Sequence, residues 1–153
     1  MESVWEYPRP PALVPCERRV RVELGGVRLA DSRSALRVLE TSHPPTIYVP
    51  PADVALEHFS ASGRTSFCEW KGTATYYDVE AGGRRERAAA WYYRSPNAAY
   101  AALVDHVAFY PGRMDACRLD DELVSSQRGD FYGGWISADI EGPFKGGAGT
   151  GGW

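Results

Sequence analysis

The chain has 153 residues, of which 44% are hydrophobic and 24% charged, a balance that can bury a core in one domain and rules out disorder of the whole. Its net charge of -3 comes from 17 basic and 20 acidic residues interspersed along the sequence, so no basic stripe follows a phosphate backbone and no nucleic acid is expected as a partner. No run of about 18 apolar residues occurs, and no membrane span is expected.

Residues 1–15 carry Pro8, Pro10, Pro11 and Pro15, which withdraw backbone donors, so they read as an extended proline-rich arm anchored by Trp5 and Tyr7. The body of the domain is assigned to 16–128. Within it, the alternating stretch from Arg18 to Leu24, then Gly25-Gly26, then VRLADS, predicts a hairpin with Val20, Val22 and Leu24 inward. Ser34 to Glu40 reads as a short helix capped by Ser34 and stopped by His43-Pro44-Pro45. Thr46 to Val49 and Val54 to Phe59 read as strands on either side of a Pro50-Pro51 turn. Ser95-Pro96-Asn97 announces a second helix over Ala98 to His106. Strands are expected at Val107 to Tyr110 and Met114 to Leu119, with Asp120-Asp121-Glu122 turning into Leu123 to Ser125.

The segment from Cys68 to Arg94 holds two alternating runs joined by Gly82-Gly83, a strong hairpin signal because glycine accepts the positive φ angles of a type I′ turn. Pairing Ala81 with Arg84 sets Asp78 against Arg87, Tyr76 against Ala89, Ala74 against Trp91 and Gly72 against Tyr93. Trp70 and Cys68 continue that face, which is either core or the wall of a pocket. Arg84, Arg85 and Arg87 flank the tip as edge protection.

From Gly129 onward the composition changes: nine of the last 25 residues are glycine, yet Phe131, Tyr132, Trp135, Phe144 and Trp153 are aromatic. A linker would lack those rings, so the tail 129–153 is expected to dock, across a subunit boundary, with Trp135 to Ile140 as a strand. Its GGAGTGGW run lacks the spacing of a phosphate-binding loop. His43, His58 and His106 show no paired ligand spacing, and Cys16, Cys68 and Cys117 form no CxxC, so neither metal nor cofactor is expected. Those scattered thiols, with no leader-like segment at the N-terminus, point to a cytoplasmic protein with reduced cysteines. Cys68 and Lys71, three positions apart, are expected on opposite strand faces.

The segments WEYPRPPAL, ADSRSALRVLETSHPPTIYVPPADV, TSFCEWKGTATYYDV, AAAWYY and HVAFYPGRMDA resemble, in order, the bacterial family called domain of unknown function 427, over Glu2 to about Glu122. Some naming schemes label that family nucleotidyltransferase-like. The paired aspartates of metal-bound nucleotide chemistry have no counterpart here, since Asp120-Asp121 falls in a predicted turn. The resemblance implies a mainly β fold: a compact single domain of antiparallel hairpins with one or two short helices, similar to the β-tent of Mss4-like proteins. Such relatives hold zinc with two CxxC pairs, which this chain lacks. The family's WKGxAxY pattern falls on Trp70, Lys71, Gly72, Ala74 and Tyr76, with Cys68-Glu69 where many members have Cys-Pro.

Three functions remain in view. The first is small-ligand binding in an aromatic pocket walled by Cys68, Trp70, Tyr76, Trp91 and Tyr93, with Lys71, Tyr48 and His43 at its rim. The second is an enzyme at the same site, with Cys68 or Tyr76 reacting and His43 as acid or base. The third is a homo-oligomeric interaction protein assembled through the arm and the C-terminal tail.

Overall fold

The first Gly-Gly hairpin forms as the alternation dictates, joining β3 to β4, and it sits in a chain described here, as a computed structural model, over residues 1–129 and 131–153. In chain order the strands are β1 (Glu2–Ser3), β2 (Ala12–Pro15), β3 (Val20–Leu24), β4 (Val27–Ser32), β5 (Leu36–Leu39) and β6 (Thr46–Val49). Three long or central strands follow, β7 (Phe59–Cys68), β8 (Gly72–Ala81) and β9 (Arg84–Tyr92), then β10 (Val107–Phe109) and β11 (Ala116–Leu119). Four two-residue strands complete the order: β12 (Glu122–Leu123), β13 (Ser125–Ser126), β14 (Trp135–Ile136) and β15 (Ile140–Glu141). The fold is mainly β and antiparallel, a compact single domain whose helical content is confined to short 3-10 segments. No helix among the described residues is long and apolar enough to cross a membrane.

A seven-stranded sheet runs β2-β5-β6-β10-β9-β8-β7, and a four-stranded sheet runs β12-β11-β3-β4. Because side chains alternate along a strand, the central strands of the larger sheet feed two different interiors. Ile47, Val49, Val79, Ala81, Val107 and Phe109 meet Val20, Val22, Leu24 and Leu29 of the smaller sheet in the main core. Residues on the opposite face of the larger sheet, among them Tyr48, Tyr76, Trp91 and Ala108, point the other way into an aromatic cluster with Tyr93, Tyr100, Leu103 and Tyr110.

The two Gly-Gly turns pack tip to tip. A Cβ on Gly82 would lie 1.7 Å from the Gly25 carbonyl oxygen, and both residues have positive φ, +55° and +58°, so the contact needs glycine on both sides.

Several sequence expectations give way. Ser34 to Glu40 is not a helix: Ser34 gives its N–H to the Ser32 hydroxyl, and Leu36–Leu39 is a strand filling the gap between β2 and β6. Ala98–Leu103 is a 3-10 segment broken at Tyr100, because Asn97 does not cap it; its side-chain amide donates to the Trp70 carbonyl and its N–H to the Lys71 carbonyl. Val54 makes only an isolated bridge to Ala30, and the strand there begins at Phe59. The central hairpin keeps its Ala81 to Arg84 closure but slips beyond Val79 and Glu86, where β9 bulges. Ala88, at φ +47°, donates its N–H to the Asp78 carboxylate at 2.8 Å. Tyr76 therefore stands opposite Trp91, not Ala89, and Thr75 opposite Tyr92.

The arm and the tail fasten to each other and to the sheets. β2, inside the expected arm, is an edge strand paired with β5, and β1 pairs with β15 in parallel. Trp5 packs edge-on against Trp153 with centroids 5.2 Å apart. Trp135 is buried in the main core, donating its indole N–H to the Phe109 carbonyl, so the groove that receives the tail belongs to the chain itself. Phe131, expected to dock, remains exposed. Trp135–Ile136 and Ile140–Glu141 are separate short strands, not one.

Candidate functional site

On the aromatic side of the larger sheet lies a cavity of about 470 Å³. Its floor comes from one face of the β6-β10-β9-β8 stretch of the sheet: Tyr48 from β6, Trp91 from β9 and Tyr76 from β8. Trp91 sits at the centre, its ring 4.6 Å from Tyr110, 6.1 Å from Tyr76 and 6.4 Å from Tyr48 between centroids. Its indole N–H donates to the Tyr48 hydroxyl at 3.4 Å. The Tyr76 hydroxyl hydrogen-bonds the Ser66 hydroxyl at 2.9 Å. The hairpin face is thus core underneath and wall above.

The β7–β8 turn forms one side. Cys68 pairs with Gly72, whose φ of +106° closes the turn through Glu69, Trp70 and Lys71. Because Lys71 belongs to this turn and not to a strand, strand alternation does not part it from Cys68, contrary to the expectation of opposite faces; both line the cavity. Lys71 is only 9% exposed, with its Nζ 5.9 Å from the Tyr93 ring centroid. Burial pulls its pKa down, but the Tyr48 hydroxyl, the Cys68 thiol and the Glu40 carboxylate outweigh that and hold it above the ordinary lysine value. It therefore stays an ammonium at neutral pH, and among the described residues it enters no ion pair. Burial likewise raises the Tyr48 and Tyr93 phenols, which remain protonated donors.

His43, from the β5–β6 loop, is 8% exposed and its pKa falls to about 4, through burial first and then the charges of Lys145, Arg9 and Lys71. Gln127 fixes the tautomer. Its Oε1 accepts from the Gly134 N–H at 3.1 Å and its Nε2 donates to the Lys145 carbonyl at 2.8 Å, so that the same NH₂ faces His43 Nδ1 at 3.2 Å. Nδ1 must accept, and the ring proton sits on Nε2. Glu40 lies 3.6 Å from that nitrogen, too far for a hydrogen bond, and is held by Arg9 at 3.2 Å. A ring that is neutral down to about pH 4 is a weak base at neutral pH.

All eight residues singled out in the sequence, His43, Tyr48, Cys68, Trp70, Lys71, Tyr76, Trp91 and Tyr93, line this one cavity. Their depths differ from expectation: Tyr48, Lys71 and His43 are buried, not rim groups. Sequence reasoning missed the opposite wall, made by Gln127, Tyr132, Gly133, Lys145 and Trp153 of the C-terminal segment together with Arg9. Tyr132 lies edge-on to His43 at 4.7 Å, with Lys145 Nζ 5.2 Å from its ring. Gly133 lets the backbone press on the floor, since a Cβ there would fall 2.3 Å from the Trp91 ring. The aromatic residues of the tail were the available signal. Among the described residues, no group of three or more His, Cys, Asp or Glu gathers where it could hold a metal.

Antiparallel sheets closing one side of an aromatic cavity define a mainly β domain with a small-molecule-sized recess. The family described as Domain of unknown function (DUF427) matches residues 12–120, and the chain belongs to it. No curated protein matches the chain. All eight residues read from the sequence fall inside the family match, whereas Arg9, Gln127, Tyr132 and Lys145 lie outside it.

Proposed function

We propose that this protein binds a small molecule in the cavity between the β6-β10-β9-β8 floor and the C-terminal segment. The observation that carries the reading is the recess itself. About 470 Å³ lies within the range of small-molecule sites. Its walls combine large rings with a few polar groups: His43 Nε2–H, the Tyr48 hydroxyl, whose oxygen accepts from Trp91, and Lys71. Binding is favoured over turnover because His43, its pKa lowered to about 4, is a weak base at neutral pH.

A thermal-shift screen against a broad metabolite collection tests this. A ligand at a hundredfold its Kd adds about 2.7 kcal/mol, or roughly 5 to 10 °C in Tm for a chain of this size. Ser66→Trp, which projects an indole into the recess from edge strand β7, should abolish the shift while leaving the unliganded melt near that of the wild type. If no compound raises Tm, or the substitution leaves every shift intact, the cavity is not the binding site.

A further inference from the structure

Resting on that ligand-binding reading, we infer that the occupant is a planar organic monoanion, its carboxylate or like group seated on Lys71 and its ring laid over the Trp91 floor. A nearly buried ammonium is costly unless a counter-charge faces it. Among the described residues Lys71 has no carboxylate within ion-pairing distance, and the Glu40 charge that acts on it from further off is shared with Arg9. The charged groups lining the cavity are Arg9, Lys71 and Lys145 against Glu40 and Glu69. Arg9 and Glu40 hold each other at 3.2 Å, and Glu69 is exposed at the turn, which leaves the interior with a positive excess.

The uncharged polar groups point the same way. His43 presents Nε2–H, because Gln127 occupies its other nitrogen, and the protonated Tyr48 and Tyr93 phenols add hydroxyl groups to the wall. The site is rich in donors and suits an acceptor. A cation would meet two ammonium groups. A neutral apolar guest would leave Lys71 with only the distant Glu40 charge that Arg9 already shares. A polyphosphate is a poor match, since the lining offers lysine point charges and its one guanidinium, Arg9, is committed to Glu40 and to the Thr41 and Trp153 carbonyls, while Arg64 lies over the Tyr76 ring. One negative group and one flat ring satisfy the charge, the donors and the aromatic floor together.

Isothermal titration with 2-naphthoate, its neutral amide 2-naphthamide and the cation 2-naphthylmethylammonium separates these cases. The naphthoate should bind at least tenfold more tightly than the amide, and the cation should not bind. Lys71→Met keeps the aliphatic stem and should cost the naphthoate at least tenfold while changing the amide less than twofold. Equal affinity of naphthoate and amide, or an unchanged naphthoate affinity in Lys71→Met, overturns the anion assignment and leaves the binding site standing. Absence of binding by every probe at millimolar concentration sinks the site and the assignment with it. Should Lys71→Met fail to fold, the wild-type comparison of naphthoate with amide, repeated at high salt, decides alone: the tenfold preference must appear and must shrink with salt.

Discussion

Replacing Trp135 with alanine is expected to lower stability by about 3 to 5 kcal/mol, the range for truncating a fully buried large aromatic. Trp135 is 1% exposed and belongs to the main core beside residues of both sheets. Its indole N–H donates to the Phe109 carbonyl at 3.3 Å, and its backbone N–H to the Pro45 carbonyl at 2.8 Å. Truncation leaves a cavity and orphans a buried carbonyl. The effect reaches the site, because the same stretch places Gly133 against Trp91 and Gly134 against Gln127. Equilibrium urea unfolding measures it; a loss below 1 kcal/mol would mean that the C-terminal segment is not part of the fold.

Acidification from pH 7 to 4 is expected to remove about 3 kcal/mol of stability through His43 alone. The folded ring has a pKa of about 4 against an ordinary 6.5. The unfolded chain therefore takes up a proton as the pH falls below 6.5 while the folded chain refuses it. Stability is full above that value, declines down to about pH 4 and levels once both states are protonated. A difference of about 2.5 units at 1.36 kcal/mol each gives the estimate. Glu2, Asp31, Asp115 and Asp120 are held below the usual carboxylate range by their arginine or backbone partners, so their contributions fade at lower pH than this window. Unfolding curves at pH 7, 5.5 and 4.5 should slope for the wild type and lie nearly flat for His43→Gln. A flat wild-type profile would place His43 in contact with water.

Where a local signal and the tertiary environment agreed, the sequence was legible. Gly25-Gly26 and Gly82-Gly83 marked both hairpins because only positive φ closes such turns, and period-two alternation set Val20, Val22 and Leu24 inward. The eight site residues converge because most of them share one face of neighbouring strands, and the resemblance to the family drew attention to the Trp70-Lys71-Gly72 turn. The β9 bulge was not legible: Ala88 has no intrinsic taste for φ +47°, and the Asp78 carboxylate that stabilises it acts across the sheet. β7 escaped notice because Phe59–Cys68 is rich in Ser, Ala and Gly and largely exposed, so pairing with β8, not burial, makes it a strand. Leu36–Leu39 looked helical because its apolar spacing fits a single turn as well as a strand, and only the adjacent β2 and β6 decide. The tail's aromatic residues announced docking, but the groove that receives them is built from residues far away in sequence.

A crystal structure grown with the strongest compound from the thermal-shift screen tests the central claim most directly. The account predicts that the compound occupies the recess over Trp91, within contact of Lys71 and His43 and covered by Tyr132. A compound bound on the outer surface, with the recess closed by its own side chains, would contradict it.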